Sequence, residues 1–157
     1  MGGSSGGGPT RIGNVQSLID QAKAELKRKR NVFISFAHED MNEVNLLRGQ
    51  AKNENSPLEF NDWSVSEPYN SERAEYIKQR IGERIAQSSV TVVYVTEDSA
   101  NSAWCAWEIQ RSLELGKHVI GTYKGTEPPN LAFDAISANR IRCVPWRDLA
   151  GEIEKLE

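Results

Sequence analysis

Short apolar runs alternate with amphipathic stretches along most of the chain. A nearly continuous β-branched run at residues 90–95 is typical of a strand buried on both faces. Apolar residues recur at helical spacing between Ser71 and Gln87, and Ser71 stands where an N-cap is expected. The pattern predicts strands at residues 32–36, 58–60, 90–95, 118–123 and 140–144, and helices at 14–30, 40–52, 71–87, 102–115 and 148–156.

The alternation of strands with helices indicates parallel strands joined by crossover helices. The first, third and fourth strands have the character of central strands, whereas the second and fifth are short or alternating, as edge strands tend to be. This predicts an α/β fold of the flavodoxin-like type, a three-layer sandwich with a five-stranded parallel sheet of order 2-1-3-4-5 and helices on both faces. Ligands of such folds bind beyond the carboxyl ends of the strands, so the segments of interest are 37–40, 61–70 and 96–108.

The chain has 157 residues, which fits one compact domain. Residues 1–13 are rich in Gly and Ser and predict a flexible tail or a cloning remnant. Residues 14–30 predict a helix that ends in a basic run, and residues 31–157 predict the domain itself. The two cysteines, Cys105 and Cys143, lack the spacing of a redox or zinc motif, and we expect no disulfide between them.

Charge and hydropathy exclude several classes of partner. The net charge of −3 and the pI near 5.5 argue against a nucleic-acid-binding protein. No apolar run approaches the roughly 20 residues of a bilayer span, so we expect a cytoplasmic protein without membrane contact. The sequence contains no metal-ligand constellation, nucleophile–His–Asp set or phosphate-binding loop, and we expect no cofactor.

Two of the three segments at the carboxyl ends resemble TIR (Toll/interleukin-receptor) domains. Residues 31–40, Asn-Val-Phe-Ile-Ser-Phe-Ala-His-Glu-Asp, are similar to the strand F/Y-D-V-F-I-S-F/Y that opens TIR domains, with Asn31 in place of the common Asp. Residues 99–109 resemble the family's S-x-W-C-x-x-E-L helix, which is the most specific signal in the chain. The residues in register are Ser102, Trp104, Cys105, Glu108 and Ile109.

Residues 61–70 differ from the loop that receptor-type TIR domains carry after the second strand. The chain looks more like the bacterial TIR-like subgroup that includes the TIR subunit of the Thoeris antiphage system. The resemblance implies an NAD⁺-cleaving domain that releases nicotinamide and makes ADP-ribose, or a cyclic ADP-ribose isomer, as an immune signal. It also implies self-association through TIR-type contacts and a separate effector protein that senses the product.

Glu108 matches the glutamate that enzymatic TIR domains require, and its chemistry suits the reaction. Cleavage of nicotinamide from ribose develops positive charge on the anomeric carbon, which a preorganised carboxylate stabilises. Trp104 lies four residues earlier on the same helical face and could form an aromatic wall for the substrate. The competing interpretation is a surface ion pair between Glu108 and Arg111, three residues further on.

Other candidate substrate contacts come from the remaining segments. Backbone N–H groups at the end of the first strand could bind a phosphate or the nicotinamide amide. Asp62, at the start of the loop after the second strand, could meet a ribose hydroxyl or cap the turn. The predicted substrate-binding residues are Phe36, Ala37, His38, Asp62, Trp63, Ser102 and Trp104.

Neighbouring residues are expected to have structural roles. Glu39 and Asp40 are typical of a helix start, where they complement the dipole. Cys105 is expected to fill the core. Trp107 is expected to face away from Trp104 and to be a packing or an interface residue.

Three alternative functions are compatible with the same fold. In the first of them Glu108 is incidental, and the other two lack residues that they require. A non-catalytic TIR-type interaction module would use residues 62–70 as a docking surface. A phosphoryl-receiver domain requires an Asp at the end of the third strand, where this chain has Thr96 and Glu97, with Asp98 beyond them. A flavin-binding domain requires a Ser/Thr-rich phosphate loop with Gly after the first strand, which the sequence lacks.

Overall fold

The computed structural model describes residues 15–21, 30–54, 56, 58–61 and 68–156. The strands are β1 (Arg30–Ser35), β2 (Leu58–Asn61), β3 (Val90–Tyr94), β4 (His118–Tyr123) and β5 (Cys143–Pro145). The helices are α1 (Met41–Asn53), α2 (Ala74–Gln87), α3 (Glu97–Ala100), α4 (Ala103–Glu114), α5 (Asp134–Ala138) and α6 (Leu149–Glu154). Short 3₁₀ turns, His38–Asp40 and Trp146–Asp148, lead into α1 and α6.

The five strands form one parallel sheet in the order β2-β1-β3-β4-β5, which confirms the predicted fold. From β1 the chain crosses to β2 on one side of the sheet, and from β3 it continues to β4 on the other side. The strand order therefore switches direction between β1 and β3, which are adjacent and pair Ser35 with Val93. Because the strands are parallel, their carboxyl ends share one edge of the sheet. In folds of this type, ligands bind in a crevice at that edge, at the switch between strands such as β1 and β3.

Both faces of the sheet are covered, which explains the apolar character of the central strands. Val92 belongs to a core cluster with Ile153 of α6, whereas Val93 belongs to a cluster with Ile109 of α4. Successive side chains of a strand point to opposite faces, so α6 and α4 lie on opposite sides. α1 packs through Leu47 on the α6 side, and α2 packs through its isoleucines against Phe33 on the α4 side.

Several predicted boundaries were wrong. Ser71 is not the N-cap of α2, because that helix begins at Ala74 with Arg73 in the cap position, and the Ser71 hydroxyl is buried without a hydrogen-bond partner among the described residues. The last strand begins at Cys143, since Arg140 has a φ of 53° and cannot continue an extended strand. The short helices α3 and α5 were not predicted, because four or five residues are too few to show a helical period.

The predicted helix at 14–30 is present only in part. Residues 15–21 are helical, residues 22–29 lie outside the described residues, and Arg30 is the first residue of β1. The predicted tail at 1–13 also lies outside them. Cys105 and Cys143 are free thiols, as expected. No helix in the described part of the chain has the length and apolarity to cross a membrane.

Candidate functional site

Glu108 lies beside the switch between β1 and β3 as a buried, hydrogen-bonded carboxylate. It is 4% exposed, and the Ser35 hydroxyl donates a hydrogen bond of 2.6 Å to its Oε1. Ser35 is the last residue of β1, so this contact joins the switch point of the sheet to α4. A carboxylate this deeply buried is costly unless hydrogen bonds compensate its lost hydration. The surface-pair interpretation with Arg111 is therefore wrong in its premise, because Glu108 is not a surface residue.

Hydrogen bonds on both sides of Glu108 fix the helix that carries it. Ser102 is the N-cap of α4, and its side chain accepts a 3.2 Å hydrogen bond from the Cys105 N–H. One turn after Glu108, the Ser112 hydroxyl donates to the Glu108 carbonyl at 2.7 Å. The same hydroxyl lies 2.7 Å from Thr91 Oγ1, which ties α4 to β3. These hydrogen bonds cap α4 and join it to β3, and they hold the helix backbone around Glu108 in place.

Aromatic side chains flank the helix one turn before Glu108. The Trp104 ring makes an edge-to-face contact with Tyr69, at 5.1 Å between centroids, and a second with Trp107 at 6.4 Å. The prediction that Trp107 faces away from Trp104 was therefore wrong, because residues three apart on a helix are neighbours. Both indoles also pack against the core around Phe33. Trp104 thus combines a packing role with a position one helical turn before Glu108.

Cys105 is inert core filler, as the sequence suggested. Its side chain is fully buried. Burial, reinforced by the nearby Glu108 charge, raises the pKa of the thiol to about 12. The nucleophilic thiolate is consequently a negligible fraction at neutral pH.

We expect Cys105 to resist thiol reagents in the folded protein. In a Cys143→Ser variant, Cys105 is the one remaining thiol. Ellman's reagent at pH 8 should leave it unmodified over hours, and unfolding in guanidinium should release one reactive thiol per chain. Rapid labelling of the folded variant would contradict this result and would indicate that α4 opens.

Asp40 and Tyr94 tie the start of α1 to the end of β3. The Thr96 hydroxyl donates a 2.5 Å hydrogen bond to Asp40 Oδ2, and the Tyr94 hydroxyl donates to the Glu43 carboxylate. Asp40 lies at the start of α1, as predicted, in the N-cap position. Its side chain makes no capping bond there and contacts Thr96, which follows β3. Burial is the main cause that raises the pKa of Asp40, and it also raises the pKa of Tyr94.

The raised pKa of Asp40 predicts how stability changes with pH. As pH rises from about 4, the unfolded chain loses this proton before the folded protein does, so ionisation of Asp40 disfavours the folded state. An Asp40→Asn variant keeps a carbonyl acceptor for Thr96 and cannot ionise. Its free energy of unfolding, minus that of the wild type, should therefore grow between about pH 4 and pH 7. Urea denaturation at three pH values measures this difference, and a constant value would contradict the prediction.

Of the other predicted substrate-binding residues, some lie near Glu108 and others do not or lie outside the described residues. Phe36 is half-buried and Ala37 is buried, and both directly follow Ser35 at the carboxyl edge of the sheet, whereas the His38 side chain is exposed. Asp62 and Trp63 lie outside the described residues. The described residues contain no cluster of His, Cys, Asp and Glu arranged to hold a metal ion.

Sequence reasoning missed Ser35 and Tyr69, which contact the two central site residues. Ser35 ends an otherwise apolar run, and a polar residue at the carboxyl end of a central strand was a usable signal. Tyr69 lay inside the segment at 61–70 and carried no signal of its own, because its contact with Trp104 depends on tertiary structure.

Several solved structures are similar to this chain. The chain is similar to the TIR domain of the Toll-related receptor TRR-2 from Hydra magnipapillata, with a TM-score of 0.50 and 19% identity over 78% of this chain and 88% of that chain. It is also similar to the CMP N-glycosidase BcmB of Clostridium botulinum, with a TM-score of 0.48 and 12% identity over 80% and 99% of the two chains. The TIR domains of the activated Roq1 resistosome give a TM-score of 0.44 and 20% identity over 82% and 85%.

Comparison of sequences identifies the family. No curated protein has a sequence that matches this chain. The family model described as the TIR-like domain of the Thoeris protein ThsB matches residues 33–128, which is more than half of the chain. The matched region contains both Ser35 and Glu108. The chain therefore belongs to the Thoeris ThsB TIR-like domain family.

Proposed function

We propose that this domain cleaves the nicotinamide–ribose bond of NAD⁺ and that Glu108 is its catalytic residue. The products are nicotinamide and either ADP-ribose or a cyclic ADP-ribose isomer, which serves as an antiphage signal. The observation that carries the proposal is the buried Glu108 carboxylate, held by Ser35 at the switch point of the sheet. Membership of the Thoeris family supports the connection to antiphage defence.

The chemistry requires one well-placed negative charge. The bond between the ribose anomeric carbon and the pyridinium nitrogen breaks, and its electron pair leaves with neutral nicotinamide. Positive charge develops on the anomeric carbon and ring oxygen as the bond lengthens. The Glu108 carboxylate stabilises that charge, and no general acid is required because nicotinamide leaves without protonation.

The geometry around Glu108 favours electrostatic catalysis because little has to move. The Ser35 hydrogen bond holds Oε1 in place before substrate binds. Low exposure strengthens the interaction between the carboxylate and a developing cation, since little water screens it. Trp104, one turn earlier, presents an aromatic surface suited to the positively charged nicotinamide ring.

Other residues would complete the substrate site. Phe36 and Ala37 directly follow Ser35, so a ligand that reaches Glu108 also meets this turn of backbone. Ser102 lies half-buried at the start of α4, two residues before Trp104. We assign to these residues contacts with the ribose, the phosphates or the nicotinamide amide. The exposed His38 would contact only the outer part of the ligand.

The fate of the ADP-ribosyl group depends on its acceptor. Attack by water gives ADP-ribose and a proton, whereas attack by a hydroxyl or adenine nitrogen of the same molecule gives a cyclic isomer and a proton. Exclusion of water from the closed site favours cyclisation. We propose the cyclic product, sensed by a separate effector protein, on the strength of the family alone.

Liquid chromatography with mass detection tests the proposal. NAD⁺ is incubated with the protein over a wide range of protein concentration, and nicotinamide and its co-product are quantified. Release of nicotinamide is expected, and the mass of the co-product separates hydrolysis from cyclisation. A rate per protein molecule that rises with concentration would show that the active form is self-associated. Absence of nicotinamide at every concentration would overturn the proposal for the isolated domain.

A further inference from the structure

We propose that Lys78 is a positioning residue for the candidate site, acting on Trp104 through Tyr69. The inference rests on the proposed function, because it assigns the Trp104 ring a role in substrate binding. Lys78 belongs to α2 and lies outside the set of residues around Glu108. Its link to the site is a chain of ring contacts.

The Lys78 ammonium is placed over aromatic rings. Its Nζ lies 4.4 Å from the centroid of the Tyr69 ring and 5.9 Å from that of Trp107. Both distances fall within the range of cation–π attraction. Only 20% of the Lys78 side chain is exposed, which strengthens the attraction because the ammonium is partly removed from water.

The ion pair of Lys78 does not account for this position. Its carboxylate partner, Glu75, is 3.6 Å away and 90% exposed. Such exposed pairs contribute little, since solvent screens them and the side chains lose conformational freedom. The rings are therefore the stronger constraint on where the ammonium sits.

The contact fixes the geometry of the aromatic wall. Tyr69 meets Trp104 edge to face, with ring planes at 76°. The Lys78 ammonium thus contacts the ring that meets Trp104, and Trp107, which also contacts Trp104, lies within reach of the same ammonium. Loss of the Lys78 charge frees Tyr69 to change orientation, and the Trp104 surface beside Glu108 then becomes less ordered.

A wall residue of this kind acts on binding more than on chemistry. Contacts with the nicotinamide ring are made in both the ground state and the transition state, so weakening them raises KM and changes kcat little. A residue needed only for folding would instead lower the melting temperature and the concentration of active protein. The split between KM and kcat thus separates the two roles.

The test compares Lys78→Met with Lys78→Arg. Methionine keeps most of the aliphatic length without the charge, whereas arginine keeps the charge and binds aromatic faces at least as well. Two controls accompany them. Glu75→Gln removes the ion pair and leaves the cation–π contact. Lys155→Met removes a lysine that pairs in the same way, three residues apart, with Glu152 of α6.

Lys78→Met is expected to raise KM for NAD⁺ by about threefold to tenfold, with kcat within about twofold and the melting temperature nearly unchanged. Lys78→Arg and both controls should resemble the wild type. An unchanged KM in Lys78→Met, or an equal rise in Glu75→Gln, would overturn the proposal.

A structural readout keeps this test independent of the enzymatic one. Near-ultraviolet circular dichroism reports the fixed geometry of Tyr and Trp rings. Lys78→Met should lose part of the wild-type signal, and Lys78→Arg should retain it. If the wild type cleaves no NAD⁺ while this difference appears, the proposed activity fails and the positioning role of Lys78 stands. A signal identical in all variants would overturn the positioning role whatever the activity.

Discussion

Replacing Glu108 with Gln is expected to abolish nicotinamide release from NAD⁺, with a loss of at least about a hundredfold. The amide has nearly the same volume as the carboxylate, and its carbonyl oxygen still accepts the hydrogen bond from Ser35. What the variant loses is the negative charge that the proposed mechanism places opposite the developing cation. The melting temperature should therefore stay close to the wild-type value, which ties the loss of activity to charge and not to unfolding.

The control for this substitution is Glu114→Gln. Glu114 lies on the same helix but is exposed at its carboxyl end, so its charge does not face the crevice. Its turnover should equal that of the wild type. Nicotinamide release and thermal unfolding are measured side by side for all three proteins. Retained turnover in Glu108→Gln would remove Glu108 from the mechanism.

The same variant separates the enzyme from a non-catalytic interaction module. In a module that only assembles with partners, a carboxylate that is 4% exposed would have a structural role and no chemical one. If Glu108→Gln keeps full antiphage protection in cells, docking is the function and the buried carboxylate is structural. Loss of protection together with loss of turnover, in a variant that folds and associates normally, favours the enzyme.

The fold was predictable because its signals are local. β3 is an apolar run because both of its faces are buried, and α2 has one apolar face because it packs on the sheet. The alternation of such strands and helices along the chain predicts a parallel sheet. Short elements were not predicted, because they contain too few residues to show a local pattern. α3 depends on the Thr96–Ser99 capping box, which closes a single turn and leaves no period in the sequence.

A motif marked part of the candidate site. Glu108 and Trp104 were proposed because they stand in register with the TIR helix. Their partners, Ser35 and Tyr69, come from distant parts of the chain, and only the packed sheet brings them to α4. Asp40 was predicted as a helix-start residue and does precede α1, but its hydrogen bond with Thr96 depends on tertiary structure and left no signal in the sequence.

A Gly121→Ala substitution should lower the free energy of unfolding by about 1–3 kcal/mol. Gly121 is in β4 opposite Cys143 of β5. A Cβ atom at this position would collide with the Cys143 sulfur and would lie 3.2 Å from a methyl group of Val95. The backbone cannot retreat easily, because the Gly121 N–H donates a 2.8 Å hydrogen bond to the Arg142 carbonyl. Urea denaturation at neutral pH measures the loss.

The collision with Cys143 makes the prediction testable by rescue. Cys143→Ala removes the sulfur, so the double variant should recover a large part of the lost stability, and the coupling between the two sites should exceed about 0.5 kcal/mol. Gly49→Ala supplies a control of opposite sign, because a Cβ there meets nothing within 4 Å on the exposed side of α1. Alanine in a helix interior is favoured over glycine by roughly 1 kcal/mol. A Gly121→Ala protein as stable as the wild type, or one that Cys143→Ala fails to rescue, would show that β4 and β5 can move apart without loss.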